Sequence, residues 1–132
     1  MSRSAAEILR EARTIAVVGA SDRPSRPSHG VMRYLLEAGY RCIPVNPRCD
    51  EVLGRPAAAS LAEIGEPVDL VDVFRRPELC PAHAEEAVAA GAGALWLQLG
   101  IVSPEARRIA EAAGLDYVED ACAKLVHARE LA

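Results

Sequence analysis

Thr14-Ile15-Ala16-Val17-Val18-Gly19-Ala20-Ser21 is an apolar run that stops at a glycine followed by a small residue and a hydroxyl side chain. Its first five residues, rich in β-branched side chains and without polar alternation, suit a short strand buried on both faces, as in a parallel sheet covered by helices. Gly19 lets the backbone turn tightly. From about Ser28 the period changes: Val31, Met32, Leu35 and Leu36 recur at helical spacing, and Gly39 closes the segment as a left-handed cap. Thr14 to Gly39 thus reads as strand, turn and helix, the opening of a βαβ unit.

The alternation continues downstream. Arg41 to Val45 is a second strand in which Pro44 removes one ladder donor, and Asp69-Leu70-Val71-Asp72-Val73-Phe74 is a third and clearer one. Ala94 to Leu99 and Asp116 to Val118 make the fourth and fifth, and a possible short strand lies around Val52-Leu53. Between them, a helix from Arg75-Arg76-Pro77 to Ala90 is capped by Gly91, and Ser103-Pro104-Glu105 opens another that Gly114 closes. A last helix spans about Ala121 to Leu131. Two capping boxes are predicted, Ser4-Ala5-Ala6-Glu7 before a short leading helix with Ile8, Leu9 and Ala12 as its apolar stripe, and Ser60-Leu61-Ala62-Glu63 before another short helix. The expected fold is α/β: a Rossmann-like, doubly wound parallel sheet of about five strands in the order 3-2-1-4-5, with helices on both faces. Residues 1–13 form a helix packing on a domain over residues 14–132.

Composition agrees with one folded unit. The 132 residues are 51% hydrophobic and 26% charged, which excludes a disordered tail. A net charge of −4 argues against nonspecific binding to nucleic acid or acidic membranes. No apolar run nears a membrane span, and Glu7 falls where a secretion signal needs its apolar core, so the expected location is the cytoplasm. Four cysteines, Cys42, Cys49, Cys80 and Cys122, stand apart without CxxC or Cys/His clustering; reduced thiols and no metal site are expected. Of the 15 basic residues, Lys124 is the only lysine.

In a doubly wound sheet, ligands bind at the carboxyl ends of the strands, near the reversal expected here between strands 1 and 4. The loop after strand 1, Gly19 to Gly30, offers a tight turn, two serine hydroxyls (Ser21, Ser28), two guanidinium groups (Arg23, Arg26) and the start of a helix. Such a loop suits a phosphate; it also reads as an ordinary polar turn with Ser28 as the N-cap. The dinucleotide pattern GxGxxG is missing, and so is the acid expected at the end of strand 2, where Val45-Asn46-Pro47 stands instead. Asp50 could reach back to a ribose, while Arg48 favours a phosphorylated ribose, that of NADP or of coenzyme A. No catalytic constellation emerges. His83 and His127 read as solvated helix residues, Gly19-Ala20-Ser21-Asp22-Arg23 lacks the second glycine of a nucleophile elbow, and Cys80 and Cys122 read as buried or as partners for a CoA thiol. Trp96 reads as core or sheet face.

Val17-Val18-Gly19-Ala20-Ser21, Ser28 with Gly30-Val31-Met32, Gly39-Tyr40, Pro44-Val45-Asn46-Pro47, Leu53-Gly54, Ser60-Leu61, Val68 to Arg75, and Trp96-Leu97-Gln98-Leu99-Gly100 together resemble the small single-domain CoA-binding protein family. That family is similar to the CoA-binding domain of the succinyl-CoA synthetase alpha subunit, and the resemblance runs from Thr14 to the end of the chain. It implies a ligand, coenzyme A or an acyl-CoA, held across the strand ends. By the same analogy Gly19, Ala20, Ser21 and Arg23 cradle phosphates, with Ser28 and Gly30 at the following helix start. Asn46, Pro47 and Arg48 flank the adenosine and its 3'-phosphate; Val73, Phe74 and Arg75 line the other side; Gln98 and Gly100 lie toward the pantetheine arm. The chain has Asp120-Ala121-Cys122 where the family often has Arg-Cys after an acid, so no role passes to that arginine. The function implied is a non-catalytic carrier, sensor or partner protein, with an NAD(P)-binding oxidoreductase-like protein as the alternative.

Overall fold

Each of the long apolar runs forms a strand, and each run of helical period forms a helix packed against them. The computed structural model describes residues 2–132; Met1, part of the segment expected over residues 1–13, lies outside them. In chain order the elements are α1 (Ala5–Glu11), β1 (Thr14–Val18), α2 (Pro27–Glu37), β2 (Arg41–Val45), β3 (Glu51–Val52), β4 (Arg55–Pro56), β5 (Leu70–Val73), α3 (Cys80–Ala89), β6 (Ala94–Leu97), α4 (Pro104–Ala112), β7 (Asp116–Val118) and α5 (Ala123–Glu130). Five strands make a parallel sheet in the order β2-β1-β5-β6-β7. β3 and β4 form a small antiparallel hairpin.

That order corrects the expected 3-2-1-4-5, in which β5 would lie outside β2. The physical reason is Pro44. Its carbonyl accepts a hydrogen bond from Ala58 N at 2.9 Å on the outer side of β2, so its missing N–H faces that side too. A full strand there would lack a donor, whereas an edge tolerates the loss. β5, buried along its whole length, takes the central place between β1 and β6. The reversal of winding therefore falls between β1 and β5.

Side chains of the strands serve the two faces alternately. Ile15, Val17, Leu70, Ala94 and Trp96 meet Ile8 and Leu9 of α1, Met32 and Leu35 of α2, and Val126 of α5. Ala16, Val18, Val71, Val73, Leu95 and Leu97 meet Ala84 and Ala87 of α3 and Ala106 and Ala110 of α4. Trp96 is fully buried, as expected of core, and its Nε1 donates to Ala121 O at 2.8 Å.

Local signals divide instructively. The Ser4 box forms: Glu7 N donates to Ser4 Oγ at 3.1 Å and Ser4 N donates to Glu7 Oε1 at 2.8 Å. The Ser60 box does not; Glu63 Oε2 accepts from Ala59 N at 3.2 Å, and the segment closes only one 3-10 turn, Leu61–Glu63. Ser103 caps α4 by accepting from Ala106 N at 3.1 Å while itself buried, with Pro104 at the first helical position. Ser103→Ala should therefore lower unfolding stability by about 1 kcal/mol, measured by urea denaturation; an unchanged midpoint would remove the cap from the account of α4.

Candidate functional site

The loops that leave the carboxyl ends of β1, β2, β5 and β6 surround a cleft of about 1310 Å³. Ten of the fourteen residues singled out from the sequence line it: Gly19, Ser21, Arg23, Ser28, Asn46, Pro47, Arg48, Phe74, Arg75 and Gln98. Asp22, Arg26, Arg76, Cys49, Leu99 and Cys122 are among the further lining residues.

The four others stand elsewhere, each for a local reason. Ala20 is fully buried, and its carbonyl accepts from Asn46 Nδ2 at 2.8 Å. Val73 faces the α3–α4 side of the sheet, because adjacent strand residues point to opposite faces and Phe74 takes the cleft. Gly30 lies inside α2 in open surroundings. Gly100 sits in a turn at φ +86, its N–H held by Asp120 Oδ1 at 2.7 Å.

Gly19 explains how the first loop reaches the cleft. Its φ is +84, and a Cβ there would stand 2.7 Å from Phe74 O and 2.9 Å from Arg75 Cδ, so the loops after β1 and β5 touch through this residue. Beyond it the loop is pinned from within. Ser21 N donates to Ser28 Oγ, and Arg23 N donates to Ser21 Oγ, both at 3.1 Å. Ser28 is thus not the N-cap of α2: the helix starts at Pro27, Arg26 holds the cap position, and no side chain caps it. An uncapped helix start at a cleft wall leaves backbone donors and the positive dipole end facing the opening. His29, next to it, is buried and does not line the cleft.

Asn46 also proves to be a strap. Its Nδ2 donates to Ala20 O, joining the β2 loop to the β1 loop, and its Oδ1 accepts from Arg48 N at 2.8 Å within the β2 loop, so both ends of the amide have a protein partner. The family resemblance placed Asn46 at the site but could not tell a strap from a ligand contact.

The electrostatics follow from five guanidinium groups. Arg23, Arg26, Arg48, Arg75 and Arg76 line the cleft with Asp22 as the one acid among the lining residues. Among the described residues none of the five lies within ion-pair distance of a carboxylate, whereas Arg3, Arg41, Arg107, Arg108 and Arg129 all do. Clustered unneutralised cations repel one another until an anion enters. Asp50 is not part of this wall; it lines a separate cavity of about 540 Å³ along the outer side of β2, with Arg41, Arg55 and Glu66.

Cys80, His83 and His127 do not line the cleft. Cys80 is buried, which pushes its thiol up to about 11. His83 pairs with Glu86 at 2.7 Å. His127 is not a solvated helix residue, since its Nδ1 is 2.9 Å from Tyr34 Oη and its ring meets Tyr34 and Tyr40 edge-on. Among the described residues no group of three or more His, Cys, Asp or Glu side chains could hold a metal ion, and no helix is long and apolar enough to cross a membrane.

Residues 13–128 match the family model described as the CoA binding domain. The chain belongs to this CoA-binding domain family. The relatives fit that membership. An uncharacterized protein, YneT, of Bacillus subtilis (strain 168) is 48% identical over 122 residues, spanning 92% of this chain and 90% of its own. Acetate–CoA ligase (ADP-forming) I of Archaeoglobus fulgidus is 32% identical over 74 residues; the match spans 56% of this chain and 11% of the ligase. A hypothetical protein from Pyrococcus horikoshii OT3 superposes with a TM-score of 0.94 at 41% identity, covering 97% of this chain and 90% of that one. The CoA-binding domain fold thus occurs both in small proteins of this length and within a far longer enzyme.

Proposed function

We propose that the protein binds coenzyme A or an acyl-CoA in the cleft at the strand ends, without chemistry of its own, and acts in the cytoplasm as a carrier, sensor or partner protein. The observation that carries this reading is the set of five arginines without carboxylate partners among the described residues, around an uncapped helix start. A diphosphate and a 3'-phosphate supply the anionic groups that such a wall lacks. Family membership supports the same ligand. The volume of about 1310 Å³ accommodates a nucleotide with an extended arm. A nicotinamide dinucleotide is matched less well, because the acid that would hold its ribose is missing from the end of β2 and Asp50 lines the other cavity.

Titration calorimetry tests the assignment. Arg23→Ala should weaken CoA binding roughly tenfold through loss of a charge-assisted contact, and Ser21→Ala should weaken it by less, with the apo thermal midpoint nearly unchanged for Arg23→Ala. Affinity equal to the parent's in both variants would move the phosphate site away from this loop, and tight NAD binding without CoA binding would replace the reading altogether.

A further inference from the structure

The cleft changes character along its length. Its cations come from the loops after β1, β2 and β5; the loop after β6 contributes Gln98, Leu99 and Ile101 and no charge, with Cys122 beside them. Adjacent strands are about 4.8 Å apart, so the uncharged end lies roughly 10 Å from the β1 loop, with the β5 loop and its Arg75 and Arg76 between the two. Leu99 is 64% exposed and Val102, directly after Ile101, is 44% exposed. A lone exposed leucine needs no explanation. This one borders a polar group held in a fixed orientation.

Gln98 is 5% exposed, and its Oε1 accepts from Ala123 N at 3.1 Å, at the start of α5. That bond settles which end of the amide is which. Nε2 is left as the donor at the cleft wall, without a protein acceptor among the described residues. A fixed donor beside exposed hydrocarbon matches a carbonyl oxygen that carries an apolar chain, which is the chemistry of a thioester. Resting on the CoA reading above, we infer that the β6 end of the cleft is an acyl subsite: Gln98 Nε2 donates to the thioester carbonyl oxygen, and Leu99 and Ile101 pack against a short apolar acyl chain. The preferred ligand is then an acyl-CoA with an uncharged aliphatic acyl group, in preference to free CoA or a dicarboxylic acyl-CoA.

Titration of the intact protein with CoA, hexanoyl-CoA, succinyl-CoA and the thioether hexyl-CoA separates the parts. Hexanoyl-CoA should bind roughly tenfold tighter than CoA, from partial burial of its methylenes, and succinyl-CoA no tighter than CoA. Hexyl-CoA, which lacks the carbonyl oxygen, should bind roughly fivefold more weakly than hexanoyl-CoA. In Leu99→Ser, an exposed position whose change the fold tolerates, the hexanoyl-CoA to CoA affinity ratio should fall to within about twofold. CoA binding without a hexanoyl preference, or a preference unchanged in Leu99→Ser, overturns the acyl subsite and leaves the CoA reading standing. Equal affinity for thioester and thioether overturns the role of Gln98. No binding of any of the four overturns the CoA reading itself.

Discussion

Gly19→Ala is expected to lower stability by about 3 kcal/mol, to drop the thermal midpoint by roughly 10 °C, and to weaken CoA binding well beyond tenfold. Two effects add at this position. The backbone sits at φ +84, where an L side chain is strained by about 1–2 kcal/mol. The new methyl would also stand 2.7 Å from Phe74 O, a backbone atom that cannot swing away. Relief requires the β1 and β5 loops to separate, and those loops carry Arg23, Arg26, Arg75 and Arg76. Gly39→Ala supplies the control, because its φ is +102 but nothing stands within 4 Å of a Cβ there. It should show the backbone strain alone, with binding retained. Equal losses of stability and affinity in the two variants would show that the close approach at Gly19 has no special weight.

Asp72→Asn is expected to stabilise the protein by on the order of 2 kcal/mol or more at pH 8 and to flatten its stability profile. Asp72 lies in the central strand β5, paired in register with Val17 and Trp96, and it is 0% exposed with both carboxyl oxygens lacking a hydrogen-bond partner. Burial drives its pKa well above the ordinary carboxylate value. Cys42, on the same face of the sheet, is pushed up to about 12 by its own burial first and by Asp72 second. The sign follows from proton binding. Between the unfolded carboxyl pKa of about 3.9 and the raised folded value, the folded state holds a proton that the unfolded state has released, so stability falls as pH rises through that window. Above the window the loss is complete and the profile levels off. Denaturant titrations from pH 4 to 9 should show this decline in the parent protein and not in Asp72→Asn. A parent profile that rises with pH over that range would contradict an isolated buried carboxyl.

The elements were legible because their signals are local. Thr14–Val18 is apolar after its first residue and Leu70–Val73 is apolar but for Asp72, and glycines at 39, 91 and 114 all take positive φ after helices, as their spacing suggests. Strand order was not legible from adjacency in the chain. It turns on the side of β2 to which Pro44 presents its missing donor, and that is visible only once Ala58 is seen bonding to Pro44 O. The capping box at Ser60 failed because Glu63 found Ala59 N instead, a competition among neighbouring donors that spacing cannot rank.

The cleft was legible loop by loop, since in this architecture the strand ends face one way. Which residue of each loop faces it was less so. Val73 could have been set aside in favour of Phe74 by strand alternation alone, as Asp72 and Phe74 share the face opposite Val73. Nothing in the sequence marks Asn46 as a strap or Gln98 as a donor fixed by Ala123, because both roles depend on groups 25 or more residues away. The isolation of Asp72 is equally invisible in Asp69-Leu70-Val71-Asp72, where a second acid looks like the first. The Asp69 carboxyl in fact accepts from Arg13 N and Thr14 N, at 2.9 and 3.0 Å, while the Asp72 carboxyl accepts from nothing.

A surplus of arginine over lysine has a compositional origin as one explanation, but composition does not gather five arginines on one cleft. Crystals of the protein grown with CoA test that point most directly. The expected result is ordered density for CoA with its diphosphate within hydrogen-bond distance of the Ser21–Ser28 loop, its 3'-phosphate beside Arg48, and its arm running past Phe74 to Gln98. Density for CoA in the cavity beside Arg41 and Glu66, with the strand-end cleft holding none, would contradict the account.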